Sequence, residues 1–137
     1  MRNLDIFNCA AVEILHLSLE SFPSPAEIDP EEIAETVKGY FLDNEYSAVN
    51  ESLLNEKCSD TLSWLASENY LVVNDEYYDV PSTAILTQKG LNAVNAKTTL
   101  LDSANSKQFS EHFKGGLIQL PFSAVSSLMV DFFKSLS

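Results

Sequence analysis

Apolar residues recur at helical spacing along most of this chain, and one stretch breaks that rhythm into short runs. Phe7, Ala11, Ile14 and Leu15 stand three or four apart, with Leu4 before them and Ser18 after. This spacing predicts a helix over about residues 4–19. FPSPAEID, residues 22–29, interrupts the pattern with two prolines. Asp29-Pro30-Glu31-Glu32 then starts a second helix: an Asp N-cap, a Pro at the first helical position and a Glu at the third that completes a capping box. Ile33, Val37 and one of Tyr40 and Phe41 face inward, and Gly39 loosens the last turn. Residues 43–50 are polar and turn-like. A third helix begins at Asn50 or Lys57, with Leu62, Leu65 and Ala66 as its stripe and Trp64 at the edge. It ends at Glu68-Asn69, where Asn tolerates the left-handed conformation usually given to Gly.

The period then changes. Tyr70-Leu71-Val72-Val73 reads as a strand, Asn74-Asp75-Glu76 as a turn, and residues 77–85 as a second strand, which Pro81 confines to an edge or a bend. Thr87 caps a fourth helix carrying Leu91 and Val94. SANSKQFSEHFKGG, residues 103–116, reads as a linker, with Phe109 and Phe113 one helical turn apart and Gly115-Gly116 as a hinge. Residues 123–136 form an amphipathic helix: Val125, Leu128, Met129, Phe132 and Leu136 share one side, with Ser127, Asp131 and Lys134 opposite.

The order helix, helix, helix, hairpin, helix is that of winged-helix domains. TLSWLASENYLVV, residues 61–73, resembles a recognition helix running into a wing. ILTQKGLNAV, residues 85–94, resembles the L-T-x-K-G entry to the post-wing helix of MarR-like and PadR-like regulators. The resemblance covers about residues 4–100. It implies a mainly α fold with a small β-hairpin, an α+β winged helix-turn-helix. The expected organisation is a winged-helix domain over residues 1–104, followed by a linker and a C-terminal amphipathic helix over 105–137.

Charge changes what that resemblance implies. Residues 1–80 carry 17 acidic and 3 basic side chains, and residues 81–137 carry 3 and 5, which together give the net charge of −12. In DNA-binding members the third helix reads the major groove and the wing grips phosphate. Here the exposed positions of the third helix are Ser59, Asp60, Ser63, Ser67 and Glu68, and the wing tip is Asn74, Asp75, Glu76, Tyr77, Tyr78 and Asp79. Non-specific DNA affinity comes from cations that neutralise about 6–10 phosphates, far more than this region can supply. Specific readout leans on Arg to guanine, and this helix has no Arg. The charge therefore disfavours nucleic acid and favours a basic protein partner.

Catalytic and metal-binding patterns are not found. Cys9 and Cys58 lack metal spacing and read as buried, reduced thiols. His16 lies among apolar positions, and His112 sits beside Glu111 in the linker. Glu31, Glu32 and Glu35 have a structural explanation near a helix start. Asp75, Glu76 and Asp79 lack calcium-loop spacing. We expect a non-enzyme with no cofactor and no metal.

No 18-residue apolar run and no signal peptide are visible, so the expectation is a cytoplasmic bacterial or phage protein without membrane association. The expected interaction residues are Asp60, Ser63, Ser67, Glu68, Asp75, Glu76, Tyr77, Tyr78 and Asp79. The expected self-association face of a homodimer is Val125, Leu128, Met129, Phe132 and Leu136. The leading functional expectation is protein–protein interaction in a regulatory or mobile-element accessory role. The alternative is a dimeric DNA-binding transcriptional regulator.

Overall fold

The computed structural model describes residues 2–44, 50–74, 82–98 and 107–134. Its elements, in order, are α1 (Arg2–Ser21), β1 (Ala26–Ile28), α2 (Pro30–Asp43), α3 (Glu51–Ser67), β2 (Leu71–Asn74), β3 (Ser82–Leu86), α4 (Gln88–Asn95), α5 (Phe109–Phe113), a 3-10 turn (Leu117–Gln119) and α6 (Phe122–Lys134). The fold is mainly helical with a small three-stranded antiparallel sheet in the order β1-β3-β2.

Helix α1 is the spine. Ile6, Ala10, Ala11, Val12, Ile14 and Leu15 are fully buried, so apolar residues surround most of its circumference. A helix apolar on nearly all sides belongs in the middle of a fold, and α1 meets α2, α3, β1, α5 and α6. Of the expected stripe, Ala11, Ile14 and Leu15 are fully buried and Phe7 is half-buried, while Leu4 before it is exposed; burial extends beyond the stripe to Ile6, Ala10 and Val12.

Helix α2 starts at the expected Asp cap and proline, without the reciprocal Glu32 bond of a capping box among the described contacts. The Asp29 carboxylate accepts the Glu31 N–H at 3.0 Å, with Pro30 at the first helical position. Both Tyr40 and Phe41 are buried, since the helix packs on α1 as well as α3. Helix α3 begins at Glu51, because the Asn50 side chain caps it by accepting the Leu53 N–H at 3.1 Å.

The strand β1 replaces what reads in sequence as a break. Ala26 and Ile28 are buried, Glu27 is exposed, and Ala26 pairs with Ala84 of β3. The β2–β3 hairpin pairs Leu71 with Leu86 and Asn74 with Thr83.

Two expectations for the C-terminal third are corrected. Phe109 and Phe113, read as part of a linker, are fully buried, and the Phe109 N–H donates to the Ala96 carbonyl at 3.0 Å. The segment that follows is fastened to α1 and is not a free hinge. His16 Nδ1 donates to the Phe113 carbonyl at 2.7 Å, and the Glu13 carboxylate accepts the Leu117 N–H at 3.1 Å. Gly116 lies under these side chains at φ 78°, a left-handed backbone that favours glycine. The second correction concerns α6. Val125, Leu128, Met129 and Phe132 are buried in the core shared with α1, so this face is occupied within the chain and is not available to a second copy. Leu136 lies outside the described residues.

Candidate interaction surface

The outward face of α3 is held in place by the joint at its C-terminal end. The Asn69 N–H donates to Ala66 and the Tyr70 N–H to Leu65, each at 3.0 Å, with Asn69 at φ 69°. This is a Schellman closure, and the left-handed residue is the Asn that the sequence predicts.

The L-T-x-K-G motif completes the joint. Leu86 is buried. The Thr87 side chain accepts the Gly90 N–H at 3.0 Å, capping α4, and its hydroxyl also meets the Asn69 and Tyr70 carbonyls. Lys89 donates to the Glu68 carbonyl at 2.8 Å and lies 4.5 Å from the Tyr70 ring centroid. A Cβ at Gly90 would fall 2.1 Å from the Tyr70 carbonyl oxygen. Each fixed residue of the motif therefore holds α4 against the end of α3, and its lysine is committed to the protein itself.

Asp60, Ser63, Ser67 and Glu68 are exposed together on this helix, as expected. Beside them Trp64 stays 38% exposed. Its ring stands edge-on to Phe7 and to Phe133, both with centroids at 5.2 Å, and stacks on Tyr70 at 6.4 Å. An open depression of about 400 Å³ lies against Trp64, lined by Asn3, Phe7, Lys57, Asp60 and Thr61. Aromatic anchors with one face open are typical of protein contacts. Asp75, Glu76, Tyr77, Tyr78 and Asp79 lie outside the described residues, so the wing half of the expected surface has no structural account.

Sequence reasoning passed over a second feature. Glu31 and Glu35, read there as helix-start charges, share a face of α2 with Lys38, Gly39 and Leu42. Spacings of four, seven, eight and eleven residues from Glu31 were the signal.

The remaining chemistry is quiet. Burial, with the nearby charges of Asp5 and Cys58 adding to it, pushes the Cys9 thiol up to about 12. Burial pushes Cys58 up to about 12 as well. Thiols held protonated in an apolar interior are poor nucleophiles. His16 is fixed by the Phe113 carbonyl, with Glu20 3.6 Å from its other nitrogen. Burial, helped by Lys107 and opposed by Glu111, lowers the His112 pKa below its ordinary value. Among the described residues no cluster of three or more His, Cys, Asp and Glu side chains could hold a metal ion. No helix among them is long and apolar enough to cross a membrane. No family model, curated protein or solved structure matches this chain.

Proposed function

We propose that this chain is a winged-helix protein that works by binding another protein, in a regulatory or mobile-element accessory role, without catalysis. The fold part of the reading is supported by the order α1-β1-α2-α3-β2-β3 and by a sheet with β3 between β1 and β2. On this reading α3 stands where a recognition helix stands.

The functional part is carried by one observation: the exposed face of α3 offers carboxylates, hydroxyls and part of an indole, with Lys57 as its single cation. Its neighbour Lys89 is tied to the Glu68 carbonyl and the Tyr70 ring. On α2 the only lysine, Lys38, is paired with Glu51. Lys57 alone borders the Trp64 depression, opposite Asp60. A phosphate backbone would meet repulsion here, whereas a partner with basic side chains and an apolar anchor would find complements for both. The competing reading, a DNA-binding regulator, has only the topology in its favour.

Fluorescence anisotropy of a labelled random-sequence duplex tests this. The expected outcome is no binding by the full chain at about 50 mM salt, where electrostatic association is strong. Micromolar binding that weakens steeply with salt would overturn the reading.

A further inference from the structure

Between α2 and the first turn of α3 runs an open groove of about 490 Å³. Its α2 wall is a single stripe: Glu31, Ala34, Glu35, Lys38, Gly39 and Leu42. Helix α3 contributes Glu51, Leu54 and Asn55. This stripe adjoins the core face of α2, which buries Ile33, Ala34, Val37, Tyr40 and Phe41, and shares only Ala34 with it.

Three observations point to an occupant from outside the fold. The first is Gly39. Glycine inside a helix lowers stability, and it is normally kept where something must approach the backbone closely. Among the described residues nothing lies within 4 Å of a Cβ built on Gly39. No contact among the described residues requires a glycine here, and its effect is to leave the groove floor bare.

The second is Leu42, 54% exposed at the C-terminal end of the same stripe. The third is charge. Glu31 and Glu35 are exposed one turn apart, with no hydrogen bond or ion pair on either carboxylate among the described residues. The one cation in the groove, Lys38, is bound to Glu51, whose carboxyl it holds below the usual value by hydrogen bonding and charge. The groove therefore presents a bare backbone, an apolar end and two unneutralised carboxylates.

We propose that this groove docks a basic amphipathic helix of a partner protein. A small residue of that helix lies over Gly39, an apolar side chain covers Leu42, and Lys or Arg side chains meet Glu31 and Glu35. A second copy of this chain fits poorly, since at net charge −12 it would bring acid to acid. The same charge disfavours nucleic acid. The inference rests on the reading of the chain as a protein-binding module and names where and what it binds.

The test uses the full chain and a fluorescein-labelled synthetic helix of lysine, leucine and one central alanine, followed by anisotropy at low salt. Three variants are compared. Gly39→Leu puts a side chain into the groove at a position where a Cβ meets no described atom within 4 Å, and replaces glycine by a better helix former. Glu31→Lys with Glu35→Lys reverses the rim. Asp60→Lys with Glu68→Lys makes the same charge change on the outward face of α3.

The expected result is saturable binding by the parent chain. Gly39→Leu and the rim pair should each weaken it on the order of tenfold or more, and the α3 pair by less than about threefold. Unchanged affinity in Gly39→Leu, or equal loss in both charge pairs, would overturn the groove. Loss confined to the α3 pair would also overturn it, while leaving the protein-binding reading in place at α3. No binding by the parent chain would overturn both the groove and the basic-partner reading. Circular dichroism melts of all variants confirm that they are folded.

Discussion

At Gly90 a Cβ would lie 2.1 Å from the Tyr70 carbonyl oxygen, and at Gly39 it would meet none of the described residues within 4 Å. The two glycines therefore respond oppositely to the same change. Gly90→Ala forces the α3–α4 joint apart and should cost about 2 kcal/mol, as overpacking against backbone does. Gly39→Ala should stabilise by about 0.8 kcal/mol, the ordinary helix-propensity gain. Urea unfolding of the two variants checks this, and midpoints that move in the same direction would contradict the packing described.

Thr87 and Asn69 were legible from sequence because capping and left-handed turns are local: a few neighbours decide them. The closeness of Gly90 to Tyr70 was not, because it depends on two segments meeting across the hairpin. The thiols give a pH prediction. Their folded pKa values stand near 12, against an ordinary 9.0. Below pH 9 both states keep the protons and the stability contribution is complete. As pH rises from about 9 towards 12 the unfolded chain ionises first, so stability falls. Burial likewise raises Tyr40 to about 12, while its hydroxyl donates to the Leu120 carbonyl at 2.7 Å, and it acts in the same direction. The urea midpoint should drop between pH 8 and pH 10; a rise would contradict the burial of these groups.

Among the elements, α6 separates what periodicity reveals from what it hides. The spacing of Val125, Leu128, Met129 and Phe132 says that one face is buried, and it is. It does not say against what, and the expected second copy is replaced by α1 of the same chain. The reason lies in α5. Phe109 and Phe113, hidden among Ser, Glu, His and Lys, pack their rings on Phe132 at 5.1 and 5.6 Å and so carry the chain back onto the core.

Strand β1 escaped for a similar reason. Three residues beside prolines carry too little alternation to register, and only their pairing with β3 makes them a strand. Phe132→Ala should cost about 3–5 kcal/mol, since it empties a ring-lined site. Val130→Lys, on the exposed face of the same helix, should stay within about 0.5 kcal/mol. Thermal melts compare them, and similar losses would mean that α6 does not use this face.

On the proposed winged-helix reading, the backbone topology and the surface charge of the molecule point different ways. The joint built from Asn69, Thr87, Lys89 and Gly90 positions α3 firmly, and the residues it presents are Asp60, Ser63, Ser67 and Glu68. That acidity was readable from sequence, because charge needs no folding to be counted. The groove beside α2 was not, because it appears only when α3 is laid against α2.

If the frame suits a DNA groove and only the side chains forbid it, changing those side chains should restore binding. The decisive measurement is the salt dependence of duplex DNA binding by Asp60→Lys/Ser63→Arg/Ser67→Arg/Glu68→Lys beside the parent chain. The variant is expected to bind random duplex at about 50 mM salt, with affinity falling steeply by 200 mM, and the parent chain to bind at neither concentration. Binding by the parent chain with a comparable salt slope, or none by the variant, would contradict the account of α3 as a DNA-shaped helix turned to protein.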